Sequence, residues 1–462
     1  MKSNFLVYSA GTIINKGLLY IGSFVFAYFL STEEYGKYAV FAAIIPFISV
    51  ISSLNLPSSI RQYEYKYSRN TKIYLTNILI LTFFVQLLAI LIYLNISDPL
   101  ILSLNLDKQF KPLILVIIIT SPIIMIGEQY YLGKNDSKQY VFLGLIKVIT
   151  EVFLGFVLIK LFIENSWYRS LGTTLAYVSV FVVVIYKLRK YFLYQIKLNK
   201  HYIKYALAFS IPIILHQISN NVLAISDRIV ISQIIGFEEN GVYSFVYSLS
   251  SINFLLILAA NQAAVKKYYS HLKNERFSQI NNKFRIINEF TILITLLSAT
   301  LLVLTFYFIS PEDYKKGIDI ILPIMSSSLG ILCYLYYVNF NFYKNRTSLI
   351  SIGTVFSAFI NVFINYLYLE DFGLITAALS TWISYFFMAL YNYCVVKIKS
   401  KKATTLSLKP LILCIIISAI HIWSNLVVPP SENILDFVFI QTLLLAMTAI
   451  TLKKWKKLRT LF

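Results

Sequence analysis

Six polar side chains, His216, Gln217, Asn220, Asn221, Asp227 and Arg228, stand in a stretch from about 202 to 236 that is otherwise apolar enough to cross a bilayer. At about 100° per residue, His216, Asn220 and Asp227 fall within about 40° of one another on a helix. Gln217, Asn221 and Arg228 repeat that spacing one residue later, so the two stripes form one polar face. A charge at the bilayer centre costs about 2.5–3.5 kcal/mol on insertion scales, so the face looks at protein or water and not at lipid. Two readings are open: the face packs against a neighbouring helix, or it lines a polar cavity.

Other spans carry side chains of the same kind. Ser9, Thr12, Lys16, Tyr20 and Ser23 occupy one third of a helical wheel in the first apolar segment. Arg61 stands at the end of the second segment, where it reads equally as a loop cation or as a further cavity charge. Lys147 and Glu151, one turn apart in the fifth, have the spacing of an intramembrane ion pair, in which each charge offsets the cost of burying the other. Asn361 and Asn365 are one turn apart in the eleventh, placed for cavity lining or for hydrogen bonds between helices. His216 and His421 stand alone in their spans, and no His, Cys or carboxylate grouping has metal-ligand spacing. The residues indicate no catalytic site, no metal and no cofactor.

The elements that must position these residues are membrane helices. The 462-residue chain is 58% hydrophobic and 13% charged, with a mean hydropathy of +0.70. That composition gives an all-α polytopic membrane protein. Fourteen apolar segments of spanning length can be counted, from about 5–30 to about 434–452. The first is too long for a signal-peptide core and is expected to be retained. The seventh, 203–235, is long for one crossing and has Pro212 early, which places its first turns in the interface.

The net charge of +20 invites a nucleic-acid surface, but the distribution of Lys and Arg disposes of it. The odd-numbered connections hold six, Lys37, Lys108, Lys111, Arg169, Lys315 and Lys316, whereas the even-numbered ones and the termini hold thirty-one, the run Lys453–Arg459 among them. Under the positive-inside rule both termini are cytoplasmic. The clusters are topology signals and contacts to anionic membrane lipid; nucleic acid is not expected as a partner. No connection is long enough for an extramembrane catalytic domain, and no phosphate-binding loop of an ATPase is present.

An internal repeat organises the spans. Glu33-Glu34-Tyr35-Gly36-Lys37-Tyr38 recurs as Glu238-Glu239-Asn240-Gly241-Val242-Tyr243, offset by 205. Lys134-Asn135 recurs as Lys344-Asn345, and Val152-Phe153 as Val362-Phe363, both offset by 210. Six spans fit in that offset, so the halves insert the same way round. The expected architecture is two parallel six-helix bundles, 1–200 and 201–402, around a central cavity, with 403–462 as two additional helices. The Glu-Glu-x-Gly-x-Tyr motif reads as a hairpin element, with Gly supplying the turn. Facing bundles would turn Lys16 and Arg228 into the gap, which suits an anionic substrate, since Arg matches phosphate oxygens bidentately.

Several stretches resemble the Wzx-type polysaccharide flippases of the multidrug/oligosaccharidyl-lipid/polysaccharide exporter superfamily. They are Gly17-Leu18-Leu19-Tyr20 through Tyr38, Phe209-Ser210-Ile211-Pro212, Asp227-Arg228-Ile229-Val230, Glu239 to Tyr243, Asn361 to Asn365, and Phe372 to Ala378. The resemblance implies export of an undecaprenyl-pyrophosphate-linked oligosaccharide, such as an O-antigen or capsule repeat unit, across the bacterial inner membrane. It further implies alternating access, a coupling gradient of H⁺ or Na⁺, and glycan polymerase or assembly proteins as partners. On that reading the substrate cavity holds Lys16, Arg61, His216, Asn220, Asn221, Asp227, Arg228, Asn361 and Asn365. A drug/cation antiporter of the same fold, a peptidoglycan-precursor flippase and a membrane-embedded glycan polymerase are the competing readings.

Overall fold

The computed structural model describes residues 2–67, 70–192, 198–399 and 406–451, and within them every side chain except those of 2–6, 8, 9, 12, 192, 263, 266 and 451. The side chains of Ser9 and Thr12 in the first polar stripe, and the basic run Lys453–Arg459, therefore lie outside what is described.

Among the described residues all regular structure is helical. The first seven helices are α1 (Lys2–Phe29), α2 (Thr32–Ser53), α3 (Ser58–Tyr67), α4 (Thr71–Ser103), α5 (Lys111–Gly133), α6 (Ser137–Leu161) and α7 (Ser166–Phe192). The next seven are α8 (Lys200–Ile234), α9 (Phe237–Ser250), α10 (Ile252–Lys273), α11 (Phe277–Ile309), α12 (Ile321–Tyr343), α13 (Thr347–Phe372) and α14 (Leu374–Lys399). α15 (Lys409–Val427) and α16 (Ile434–Thr451) follow. Among the described residues twelve spans are long and apolar enough to cross a membrane. Two shorter apolar stretches, Ile13–Phe29 and Ile434–Ile450, coincide with the expected first and last segments. The polytopic all-helical class expected from the sequence is the class observed, with the count of fourteen approximate.

The order of elements repeats. A long helix (α1, α8) precedes a span broken in two (α2–α3, α9–α10), then a helix of 33 residues (α4, α11). Next come a 3-10 turn and a helix of 23 residues (α5, α12), and finally two more helices (α6–α7, α13–α14). The break after α2 has a physical cause: Leu54 and Asn55 take φ of 44° and 51°, which ends the helix with a left-handed turn. α8 is continuous for 35 residues. That is about 50 Å at 1.5 Å per residue, well beyond the hydrocarbon thickness.

Two compact units divide the chain. The first is residues 1–221 with 236–241, and the second is 222–235 with 242–462. α8 therefore supplies residues to both. In the first unit the core gathers Leu56, Ile60, Tyr74, Ile78, Ile126 and Val184. In the second it gathers Ile292, Leu329, Cys333, Tyr337, Phe386 and Cys414. Cys333 and Cys414 are packing residues, whereas Cys394 is exposed.

The surface pattern is that of a protein dissolved in lipid. On α4, Phe83, Phe84, Leu87 and Leu88 are exposed while Asn77, Thr82 and Gln86 are buried. Polar side chains go inward because only protein partners satisfy them there. Close helix approach uses small residues: a Cβ on Gly172 of α7 would lie 2.5 Å from Gly155 Cα on α6. This contact brings α6 and α7 near enough to share a buried polar network.

Candidate functional site

Asp227 is the centre of the largest concentration of predicted site residues. It stands on α8 and is 2% exposed. Asn365 on α13 donates from Nδ2 to Oδ1 at 2.7 Å. Tyr243 on α9 and Thr381 on α14 donate hydroxyls to Oδ2 at 2.7 and 2.9 Å. Asn361, one turn before Asn365, donates to Ser380 Oγ at 3.1 Å and accepts from Ser226 Oγ at 3.2 Å. Ser380 Oγ in turn donates to Asn365 Oδ1 at 3.0 Å. Three predicted residues, Asp227, Asn361 and Asn365, thus meet in one fully buried cluster. Sequence reasoning missed Tyr243, Ser380 and Thr381.

Arg228 does not neutralise Asp227. Its guanidinium lies 5.4 Å from the Tyr247 ring, and among the described residues no carboxylate lies within ion-pair distance of it. Adjacent helical residues point about 100° apart, which separates the two. The Asp227 carboxyl group is held by neutral donors alone among the described residues, so no side chain there supplies a counter-charge. Asn365, Thr381 and Tyr243 turn N–H and O–H hydrogens toward the carboxyl group, while the Asn361 and Asn365 side-chain oxygens accept from Ser226 and Ser380.

The remaining cavity candidates fall in the first unit. Lys16 on α1 and Arg61 on α3 are exposed, and Arg61 lies 5.8 Å from the Tyr65 ring. His216 Nε2 and Asn220 Nδ2 are 3.1 Å apart, one turn along α8. Asn221 Nδ2 is buried and has no hydrogen-bond partner among the described residues.

The expected Lys147–Glu151 ion pair is not the one that forms. Glu151 pairs with Arg169 Nη2 at 3.2 Å, while Lys147 Nζ lies 4.0 Å from the Tyr177 ring. The spacing on α6 permits the pair, but α7 presents a closer and better-shaped partner. Arg169, placed by sequence in an outer connection, is 4% exposed at the start of α7. Tyr38 and Thr173 hydroxyls also donate to Glu151 Oε1, at 3.2 and 3.3 Å.

The Glu-Glu-x-Gly-x-Tyr motif opens a helix, but its glycine does not supply the expected turn: Gly36 and Gly241 lie inside α2 and α9. Ser31 caps α2 by accepting from Glu34 N at 3.3 Å, and Ser166 at the head of α7 donates N and Oγ to Glu34 Oε2, each at 2.6 Å. Asn240 Nδ2 donates to the Gly36 carbonyl at 2.9 Å, so the two copies of the motif touch. A Cβ on Gly36 would lie 1.9 Å from the Phe237 carbonyl oxygen, an approach open only to glycine.

Helices in this order, long and apolar enough to cross a membrane and with polar side chains turned inward, define a polytopic helical membrane protein. Residues 1–270, more than half of the chain, match the family described as "Polysaccharide biosynthesis protein", and the protein belongs to that family. Its fold is similar to that of "Lipid II flippase MurJ, inward closed conformation", with a TM-score of 0.70 and 16% identity over 99% of this chain and 100% of that one. It is also similar to an inward-facing multidrug resistance MATE family transporter of the MOP superfamily, with a TM-score of 0.62 and 14% identity over 88% and 96% of the two chains. An outward-facing MATE transporter matches at a TM-score of 0.57 and 12% identity, over 92% of this chain and 96% of that one. At these identities the likeness establishes the fold. No curated protein sequence matches the chain.

Proposed function

We propose that the protein flips a polyprenyl-pyrophosphate-linked oligosaccharide repeat unit from the cytoplasmic to the outer leaflet of the bacterial inner membrane, by alternating access coupled to H⁺ or Na⁺. The observation that carries the mechanism is Asp227, a buried carboxylate without a cationic partner among the described residues. Leaving such a charge uncompensated is costly, so a proton or small cation that binds it stabilises one arrangement of the second unit over another. That differential is what couples an ion gradient to a conformational cycle. Family membership supports the glycan cargo, and Lys16, Arg61 and Arg228 supply positive charge for a pyrophosphate. The protein acts as a transporter and performs no covalent chemistry.

Both termini are cytoplasmic on this reading. Burial of Arg169 sharpens the charge asymmetry, because it leaves five basic residues in the outer connections. The repeat halves 1–200 and 201–402 move against each other, and 403–462 adds two helices. The parallel order of elements supports the repeat.

The test is complementation of a bacterium lacking its own polysaccharide flippase. Wild-type chain restores surface glycan; Asp227→Asn, Arg228→Ala and Lys16→Ala, present in the membrane at wild-type level, do not. Drug resistance with no effect on surface glycan would replace this reading with the antiporter one.

A further inference from the structure

The buried networks of the two units use matching residues. Tyr38 on α2 and Tyr243 on α9 are offset by 205 and each donates its hydroxyl to a carboxylate. Thr173 on α7 and Thr381 on α14 are offset by 208 and do the same. Glu151 on α6 and Asn361 on α13, offset by 210, complete the frame. The frames differ in the carboxylate, which is Glu151 on α6 in the first unit and Asp227 on α8 in the second, where the tyrosine offset points back to Gly22. They also differ in the cation. Applying the threonine offset to Arg169 gives Ala377, buried and with no polar side chain.

Arg169 is built into its frame as a ligand is built into a site. Nη2 lies 3.2 Å from Glu151 Oε1, and Nη1 donates to Thr173 Oγ1 at 3.0 Å. The guanidinium lies 3.9 Å from the Phe26 ring and 4.2 Å from the Tyr38 ring. Gly155 leaves room for it, since a Cβ there would lie 3.2 Å from Nη1. Carboxylate, hydroxyl and two aromatic rings are the groups that receive a planar cation. Nε, buried and without a hydrogen-bond partner among the described residues, is satisfied less well than the two terminal nitrogens.

We propose that the first unit contains a cation site filled in cis by the Arg169 guanidinium, so that this unit needs no free ion, and that deleting the side chain opens the site to a free guanidinium-type cation. The proposal rests on the internal repeat and on side-chain geometry. It does not depend on the cargo or on the coupling ion, because its test reads stability and not transport.

Arg169→Ala removes the equivalent of ethylguanidinium. The full chain is purified in detergent, and its Tm is measured with and without millimolar ethylguanidinium, ionic strength being held constant with choline. Arg169→Ala gains about 1.5 °C at an ethylguanidinium concentration some tenfold above its Kd. The wild type and Arg169→Ala/Glu151→Gln gain nothing. No gain in Arg169→Ala, or an equal gain in the double variant, overturns the proposal. Should Arg169→Ala not accumulate, the pair Arg169→Met and Glu151→Gln decides. Each single loses most of the membrane-inserted protein and the double regains it, whereas losses that merely add show that Arg169 fills space and does not serve as a cation.

Discussion

The two units solve one electrostatic problem in opposite ways. Each buries a carboxylate among helices and gives it a tyrosine and a threonine hydroxyl. In the first unit Arg169 completes the set, so the charge is cancelled within the fold. In the second, Asp227 receives neutral donors and Arg228 turns to Tyr247. A cancelled charge needs nothing from outside. An uncancelled one responds to whatever cation reaches it. The comparison teaches that a polar residue in a membrane span is not functional by being there; what decides is whether the protein itself supplies the counter-charge.

The largest effect tests the cancelled side. Glu151→Ala leaves the buried Arg169 guanidinium with a hydroxyl and two aromatic rings but no carboxylate, and breaking a buried pair by removing one partner costs about 3–5 kcal/mol. Protein recovered from membranes falls sharply, as read by immunoblot of the membrane fraction. Accumulation at the wild-type level would mean that water reaches the pair and that the first unit is not closed electrostatically.

Smaller effects come from the matched tyrosines. Tyr243→Phe removes a 2.7 Å bond to an uncancelled carboxylate, for about 1.5–3 kcal/mol. Tyr38→Phe removes a 3.2 Å bond from a carboxylate that Arg169 still holds, for about 0.5–1.5 kcal/mol. Thermal unfolding in detergent gives the ranking, with Tyr243→Phe the less stable. Equal or reversed losses would erase the difference between the units.

Much of this arrangement was legible in the sequence, and the reasons for the rest are physical. Helical periodicity placed Asp227 on a polar face and Asn361 with Asn365 one turn apart, and the structure brings these three together. Lys147–Glu151 misled because spacing along one helix says which pairs can form, not which tertiary partner competes. The competitor, Arg169, sits three residues into α7 beside Trp167 and Tyr168 and has the sequence context of a loop cation. Its burial follows from the Gly155–Gly172 contact, which only the packed helices reveal. Tyr38 and Tyr243 were seen as the last letters of a hairpin motif. The recurrence of Thr173 as Thr381 at nearly the same offset was the available signal that those tyrosines share a task.

A further small effect concerns Lys147. With its ammonium 4.0 Å from the Tyr177 ring and no ion pair among the described residues, Lys147→Met loses a cation–π contact of about 0.5–2 kcal/mol and keeps the aliphatic packing. Its unfolding temperature stays close to wild type, far from that of Glu151→Ala. A loss as large as that of Glu151→Ala would restore Lys147 as the working partner of Glu151.

The central claim is that Asp227 is the point at which a free cation acts. The direct measurement is transbilayer movement of a polyprenyl-pyrophosphate oligosaccharide in proteoliposomes under an imposed H⁺ or Na⁺ gradient, for the wild type and Asp227→Asn. Asparagine keeps the size of the side chain and removes its charge, so the cluster stays packed. The wild type moves lipid faster under one of the two gradients, and Asp227→Asn shows the same rate with and without it. A gradient response in Asp227→Asn as large as that of the wild type would contradict the account.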